Sequence, residues 1–221
     1  MINPYNFLPG NLDESVAGLN SMGYRAPEFD TVDWANSIVI FGCSFVYGTA
    51  INDNETISAQ LENLLGRPVI NMGVPASSMI YAFANQLSMR EQNILPYAVV
   101  NCWTSINRLS YFLDNDVVAH IGPWTEKANT KNLNLRVYKK LLELWNFEDS
   151  NAKMYSSIFS RMTRLLWEDT KHLEYSFFES TVEHLNVKLL KQIDFGTDDS
   201  HPGVRTTAET AKMIKEDLEG N

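Results

Sequence analysis

Cysteine is scarce in this sequence. The only two, Cys43 and Cys102, each lie at the end of an apolar run, a position typical of a buried thiol in a reduced, cytoplasmic protein. A structural disulfide is therefore not expected. Without a Cys-x-x-Cys pair or a cluster of histidines, a zinc site is not expected either.

Long apolar runs and basic patches are also missing. The first residues lack the charged and apolar segments of a signal peptide, and no later stretch is long enough to span a bilayer. Eighteen basic against 27 acidic side chains give a net charge of -9, which repels a phosphate backbone when no basic patch overrides it. We therefore expect a cytoplasmic protein that binds neither nucleic acid nor membrane. The oligomeric state does not follow from the sequence.

The composition that remains is that of an ordinary globular protein. A chain of 221 residues with 44% hydrophobic and 20% charged residues is suited to one α/β domain. Residues 1–35 have no strong hydrophobic period and several prolines and glycines, so they predict an irregular N-terminal extension with one short helix over 13–22. We expect this extension to pack on a domain that spans residues 36–221.

Strand-like and helix-like patterns alternate along the domain. Unbroken apolar runs predict strands at 37–42, 68–71 and 97–103, separated by helices over 56–65 and from 77 or 78 to about 93. This order indicates right-handed βαβ units and a parallel sheet of about five strands within a three-layer α/β/α sandwich. The later patterns predict helices over 133–145, 154–167 and 204–218, a strand at 175–178, and a fifth strand at 187–193, where a helix fits equally well.

Ser44 directly follows the first predicted strand, in the stretch Phe-Gly-Cys-Ser-Phe. Ligands bind at the carboxyl ends of the strands in an open α/β sheet, so a hydroxyl at this place can contact a bound ligand. Taken alone, a serine here is more often a helix cap or a turn residue.

Asp198 precedes His201 by three residues, shortly before the last predicted helix. One turn of chain lets both side chains reach the same point, which suits a general base and the carboxylate that orients it. An ion pair at a helix start would have the same spacing. Asp199 is the alternative acid.

Taken together, these features resemble the SGNH (GDSL-like) hydrolase family. The stretches Asn71-Met-Gly73 and Ser105-Ile-Asn107-Arg108 follow the second and third strands, where the family carries its two other blocks. The resemblance implies the family's flavodoxin-like fold. It points to a divergent Gly-Cys-Ser-Phe branch, similar to uncharacterised bacterial or phage-encoded members, because Cys43, Ser105 and Arg108 replace the family's Asp, Gly and Asp.

The resemblance implies a serine esterase or acyl hydrolase, with acetyl esters and glycan esters among the candidate substrates. It assigns Ser44 as nucleophile, His201 as base and Asp198 as orienting acid, with oxyanion donors from the Ser44 and Gly73 N–H groups and the Asn107 amide. These roles agree with acyl-transfer chemistry, which needs an activated hydroxyl and preorganised donors. No metal or organic cofactor is required.

Several alternatives stay open at this point. Cys43 is a rival nucleophile, although the strand-end position favours Ser44. Arg108 suits an acidic substrate group or an ion pair equally, and Trp124 suits a pocket wall or the core, so both are candidate substrate-binding residues. A non-catalytic binding or assembly module on the same fold, or an acyltransferase with the same triad, would share this pattern. The remaining histidines, His120, His172 and His184, have no partner at motif spacing and are expected to be structural.

Overall fold

The computed structural model describes residues 7–10, 18–112, 118–124, 133–146 and 149–220. Its strands, in chain order, are β1 (Ile38–Gly42), β2 (Val69–Gly73), β3 (Ala98–Trp103), β4 (Leu109–Phe112), β5 (Val118–Ile121), β6 (Lys171–Ser176) and β7 (Lys188–Leu189). Its helices are α1 (Ser44–Tyr47), α2 (Ile57–Leu65), α3 (Met79–Glu91), α4 (Leu133–Asn146), α5 (Asp149–Leu166), α6 (Glu179–Leu185) and α7 (Val204–Glu219).

Five of the strands form a parallel sheet in the order β2-β1-β3-β6-β7. This confirms the predicted fold class and the first three predicted strands. The strand predicted at 175–178 begins earlier, at Lys171, and the ambiguous run 187–193 supplies only the short β7. The antiparallel β4–β5 hairpin was not predicted from the sequence, because its strands are four residues each and interrupt a mostly helical pattern.

Side chains of β1 alternate between two cores, which is why its sequence is apolar throughout. Ile38 and Ile40 pack with α2 and α7 on one face of the sheet. Val39 and Phe41 pack on the other face, where α3 and α5 lie against each other. The sheet is thus covered on both faces, and its carboxyl edge is left for the loops.

Five of the predicted helices correspond to α2, α3, α4, α5 and α7, although α5 begins at Asp149 rather than at 154, and α6 was not predicted. Helix α2 follows Thr56, whose hydroxyl accepts a hydrogen bond from the Ala59 N–H at 3.2 Å, and it ends at Gly66 with a φ of 60°. Helix α3 stops before Asn93, which has a φ of 55°. None of the helices in the described part of the chain is long and apolar enough to cross a membrane.

Described parts of the N-terminal segment lie against α3. Phe7, Tyr24 and Phe29 are buried in the core on that face, and the Tyr24 hydroxyl accepts a hydrogen bond from the Asn85 amide at 2.8 Å. Residues 18–22 of the predicted short helix form turns rather than a helix, and residues 13–17 of it lie outside the described residues.

Candidate active site

Ser44 lies at the sharp turn where β1 ends and α1 begins. The turn depends on Gly42, because a Cβ there would lie 2.4 Å from Val46 Cγ2 and 3.0 Å from the Cys102 carbonyl oxygen. The turn brings the Ser44 hydroxyl to the carboxyl edge of the sheet, although the residue as a whole is only 7% exposed.

The 194–203 loop, which leads into α7, carries Asp198 and His201. A β-bridge between Phe195 and Pro202 closes the loop, and the Gly196 N–H donates to the His201 carbonyl oxygen at 2.8 Å. The Asp194 carboxylate accepts hydrogen bonds from the N–H groups of Arg205 and Thr206 at 2.9 and 2.7 Å, which caps the start of α7. These contacts fix the loop at both ends before any ligand binds.

His201 joins the other two residues of the predicted triad. Its Nε2 lies 3.0 Å from Ser44 Oγ, and its Nδ1 lies 2.5 Å from Asp198 Oδ2. The second oxygen of Asp198 accepts from the N–H groups of His201 and Ser200 at 3.0 and 3.1 Å. The structure therefore brings a hydroxyl, an imidazole and a carboxylate into one hydrogen-bonded line.

The hydrogen bonds of Asp198 also determine its charge. The His201 N–H contributes most, followed by the His201 ring and the Ser200 N–H, and together they hold the pKa of Asp198 well below its usual value in spite of desolvation. The carboxylate thus stays ionised at neutral pH and in mildly acidic solution.

The structure also bears on the two rival residues. Asp199 has a left-handed φ of 55°, and Asp198 rather than Asp199 contacts the imidazole. Cys43 is buried at 2% exposure, and His201 Nε2 contacts the oxygen of Ser44. Cys102 is buried as well, and burial, with a smaller contribution from Cys43, raises the pKa of its thiol.

Gly73, predicted to supply an oxyanion donor, is engaged elsewhere. Its N–H donates to Asn71 Oδ1 at 2.9 Å, and the Asn71 amide in turn donates to the Val46 carbonyl oxygen at 2.9 Å. A Cβ at position 73 would lie 2.4 Å from the Tyr47 nitrogen, so glycine is needed here to let α1 pack on β2. This corrects the predicted role of Gly73, because an N–H already donated inward is not a free donor for a ligand.

Ala76, which the sequence reasoning missed, lies in the turn between β2 and α3. Its φ is 64°, a conformation that costs a residue other than glycine roughly 1–2 kcal/mol. The next residue, Ser77, donates its hydroxyl to the Gly42 carbonyl oxygen at 3.2 Å, which holds the turn against the end of β1. Among the described residues, none accepts a hydrogen bond from the Ala76 N–H. The only signal in the sequence is a small residue between a strand and a helix.

Asn107 lies in the 104–108 turn, which connects β3 to β4 at the same edge of the sheet. Its N–H donates to Ser105 Oγ at 3.3 Å, whereas its side-chain Oδ1 is buried and has no hydrogen-bond partner. Buried polar atoms are nearly always paired, and an amide oxygen is an acceptor, so this unpaired atom indicates capacity for a ligand group that donates a hydrogen bond.

Arg108 and Trp124, the two candidate substrate-binding residues, are in contact. The Arg108 guanidinium carbon lies 5.1 Å from the centre of the Trp124 ring and 5.2 Å from that of Phe178. Phe178 packs against Phe45 at 5.4 Å, and Phe45 packs against His201 at 5.5 Å. A row of aromatic rings therefore connects Arg108 with the imidazole of His201. Phe178 was missed because it follows a strand with no motif of its own.

The other histidines are hydrogen-bonded within the fold. His120 lies 2.9 Å from the Ser110 hydroxyl, His172 lies 2.7 Å from the Asn101 amide, and His184 lies 2.9 Å from the Ser157 hydroxyl. Burial, and to a lesser degree the charge of Arg108, lowers the pKa of His120 to about 4. In the described ranges no group of three or more His, Cys, Asp or Glu side chains could hold a metal ion.

Comparisons with known proteins support the fold. No protein-family model matches the sequence, and no curated protein matches it. The crystal structure of TesA is similar, with a TM-score of 0.50 and 11% identity over 83% of this chain and 98% of that chain. Two further matches are the acetyl xylan esterase Est2A from Butyrivibrio proteoclasticus (TM-score 0.48, 11% identity, 84% and 64% covered) and AlinE4, an SGNH-hydrolase family esterase (TM-score 0.41, 15% identity, 85% and 97% covered). The likeness to TesA confirms the predicted α/β fold.

Proposed function

We propose that this protein is a serine hydrolase that cleaves carboxylic esters through an acyl-serine intermediate. The observation that carries the proposal is the 3.0 Å contact between Ser44 Oγ and His201 Nε2, made by residues 157 positions apart. A structural hydrogen bond alone would not need a carboxylate on the other ring nitrogen, and Asp198 lies there. This combination of three groups is the one that activates a hydroxyl for acyl transfer.

The proposed reaction has two halves. In the first, His201 takes the proton of Ser44 as the serine oxygen attacks the ester carbonyl carbon, and it returns that proton to the alcohol oxygen as the carbon–oxygen bond breaks. In the second, His201 takes a proton from water, the resulting hydroxide attacks the acyl-serine, and Ser44 leaves with the proton. Asp198 fixes the imidazole tautomer and stabilises the imidazolium formed in each half.

Both halves pass through a tetrahedral intermediate whose former carbonyl oxygen carries a negative charge. This oxyanion needs hydrogen-bond donors. We assign this role to the Ser44 N–H at the start of α1, to the Asn107 side-chain amide, and to the Ala76 N–H in place of Gly73. The first N–H groups of a helix have no partner within the helix, which leaves that of Ser44 available. Each donor of this kind is worth about 3 kcal/mol in the transition state of acyl transfer.

Hydrolysis of p-nitrophenyl acetate by the wild type and the Ser44→Ala variant tests the proposal. We expect Ser44→Ala to lower kcat by about 10⁴-fold or more, because the nucleophile and its base act as a unit. A fluorophosphonate probe should label the wild type at Ser44 and leave the variant unlabelled. Ser21→Ala, which removes an exposed hydroxyl far along the chain from the triad, is the matched control.

Equal, slow hydrolysis by the wild type and Ser44→Ala would contradict the proposal. If the folded wild type also fails to react with the probe, the protein is a binding or assembly module on the same fold. Circular dichroism of both proteins shows that the comparison is made between folded chains.

A further inference from the structure

A mostly apolar cavity of about 170 Å³ adjoins the 104–108 turn. Its apolar wall comes from the turn, from β4 and from helices α3 and α5, through Ile106, Leu109, Met79, Tyr155 and Phe159. An apolar cavity of about 150 Å³ in another protein holds a benzene molecule. The cavity therefore has room for a ring or a short chain of about six carbon atoms.

Arg108 is the one charged residue among those that line the cavity. Its Nη1 is buried and has no hydrogen-bond partner, and the guanidinium is held between the rings of Trp124 and Phe178. Arg25 and Arg90 also have one buried nitrogen without a hydrogen-bond partner, but their side chains contact the carboxylates of Asp53 and Asp169 at 2.6 and 3.0 Å. Arg108 as a whole is half-buried, but a guanidinium nitrogen shielded from water without an acceptor is unfavourable, and an anionic ligand group would supply one.

Among the described residues, no ion pair opposes the charge of Arg108. His120 is held neutral at physiological pH by burial and by Arg108 itself, and its ring is hydrogen-bonded to Ser110. In the described part of the chain, no carboxylate lies within 4.0 Å of the guanidinium. Arg108 thus brings a positive charge to the wall of a mostly apolar cavity, in a protein whose net charge is -9.

The residues that line the cavity are chain neighbours of the proposed oxyanion donors. Asn107, assigned above to the oxyanion, lies between two residues that line the cavity. Ser78, which also lines it, follows the Ser77 side chain that bonds the Gly42 carbonyl oxygen. The cavity therefore adjoins both turns that carry proposed oxyanion donors, the one with Ala76 and the one with Asn107.

We propose that the acyl group of the substrate has about six carbon atoms, fills this cavity, and carries an anionic group that pairs with Arg108. The inference rests on the proposed esterase function and names its substrate class. A carboxylate and a phosphonate or phosphate share the required chemistry, since both accept two hydrogen bonds from a guanidinium.

The first experiment compares esters of one length that differ in charge. The kcat/KM values are measured for mono-p-nitrophenyl adipate and for its neutral methyl ester with the wild type, Arg108→Gln and Arg108→Lys. A hydrogen-bonded ion pair predicts that the wild type prefers the anionic ester by about 10-fold or more. Arg108→Gln should abolish this preference, and Arg108→Lys should keep part of it.

Arg67→Gln is the matched control. Arg67 is also stacked on an aromatic ring, that of Tyr97 at 3.8 Å, but it bonds to Asn36 just before β1, at the opposite edge of the sheet. It should leave the preference unchanged. Equal preferences in the wild type and in a folded Arg108→Gln protein, as judged by thermal unfolding, would overturn the inference.

A binding experiment separates this inference from the proposed function. Catalytically inactive Ser44→Ala protein is titrated calorimetrically with hexanoate, with pentylphosphonate and with neutral hexanamide. We expect one of the two anions to bind about 10-fold more tightly than hexanamide, and the additional change Arg108→Gln to remove the difference. The tighter anion identifies the source of the charge.

The two proposals fail in different ways. Binding of an anion that depends on Arg108, in a protein that hydrolyses no ester, would leave the anion site standing and remove the esterase function. Hydrolysis of esters, with neither a preference for the anionic ester nor anion binding that depends on Arg108, would leave the esterase function standing and remove the anion site.

A substitution that fills the cavity tests whether the acyl chain of the substrate binds there. Ser156 lines the cavity, is 4% exposed, and donates its hydroxyl only to the Ala152 carbonyl oxygen of its own helix. Ser156→Leu should reduce kcat/KM for p-nitrophenyl hexanoate relative to the acetate by about 10-fold, because the added methyl groups take the place of the chain. An unchanged ratio would show that the acyl chain lies elsewhere.

Discussion

Two loops at the carboxyl edge of the sheet differ in how their polar groups are satisfied. In the 194–203 loop, Asp198 is hydrogen-bonded to His201, which is in turn hydrogen-bonded to Ser44. In the 104–108 turn, Asn107 Oδ1 and Arg108 Nη1 are buried without partners. The groups proposed to activate the serine are thus already hydrogen-bonded to one another, whereas Arg108, proposed to bind the substrate, keeps a buried donor without a partner.

The largest expected loss of kcat follows from a substitution in the 194–203 loop. Asp198→Asn removes the carboxylate from His201 Nδ1 and favours the wrong tautomer of the imidazole, so kcat should fall by about 10³–10⁴-fold. Asp199→Asn is the matched control, because Asp199 does not contact the ring, and it should have little effect. The measurement is steady-state hydrolysis of p-nitrophenyl acetate. A large loss from Asp199→Asn instead would show that the loop rearranges when substrate binds.

A smaller loss of kcat is expected from a substitution in the 104–108 turn. Asn107→Ala removes one proposed oxyanion donor and should lower kcat by about 10²–10³-fold, with little change in KM. Asn151→Ala changes an exposed asparagine on α5 and is the control. If kcat is unchanged and KM rises, Asn107 binds the substrate rather than the transition state, and the contrast between the two loops becomes sharper.

The smallest expected effect is on how the free energy of unfolding depends on pH. The pKa of Asp198 is lower in the folded protein than in the unfolded chain, so its ionised form stabilises the fold above about pH 4, and this contribution is lost as the pH falls below that value. Urea unfolding at pH 7 and pH 3 should therefore show a smaller acid-induced loss for Asp198→Asn than for the wild type. An equal loss in both proteins would mean that other carboxylates account for the acid sensitivity.

The parts of the site that the sequence predicts are those fixed by local chain geometry. The apolar run of β1 places Ser44 at a strand end, and three residues of separation let Asp198 reach His201. The fold follows from the same alternation of apolar runs and helical periods. Each of these signals lies within a few residues of the feature that it predicts.

The parts that the sequence does not predict depend on contacts between distant segments. Gly73 was misassigned because its N–H is taken by the side chain of Asn71, whose orientation is set by Val46, 25 residues away in the chain. The pairing of Phe178 with Arg108 joins loops after two different strands. The cavity requires α4 and α5 to fold over the 104–108 turn, where Trp145 Nε1 approaches the Ile106 carbonyl oxygen at 3.4 Å.

The separation of Ser44 and His201 along the chain has a consequence for biosynthesis. A ribosome that adds about 5–20 residues per second needs roughly 8–30 s to make the 157 residues between them. During that interval the nascent chain carries the serine without its base, so it has no activated hydroxyl to react with cellular esters. The proposed hydrolysis therefore requires the 194–203 loop to dock on the finished sheet, so that activity would indicate a completely folded chain.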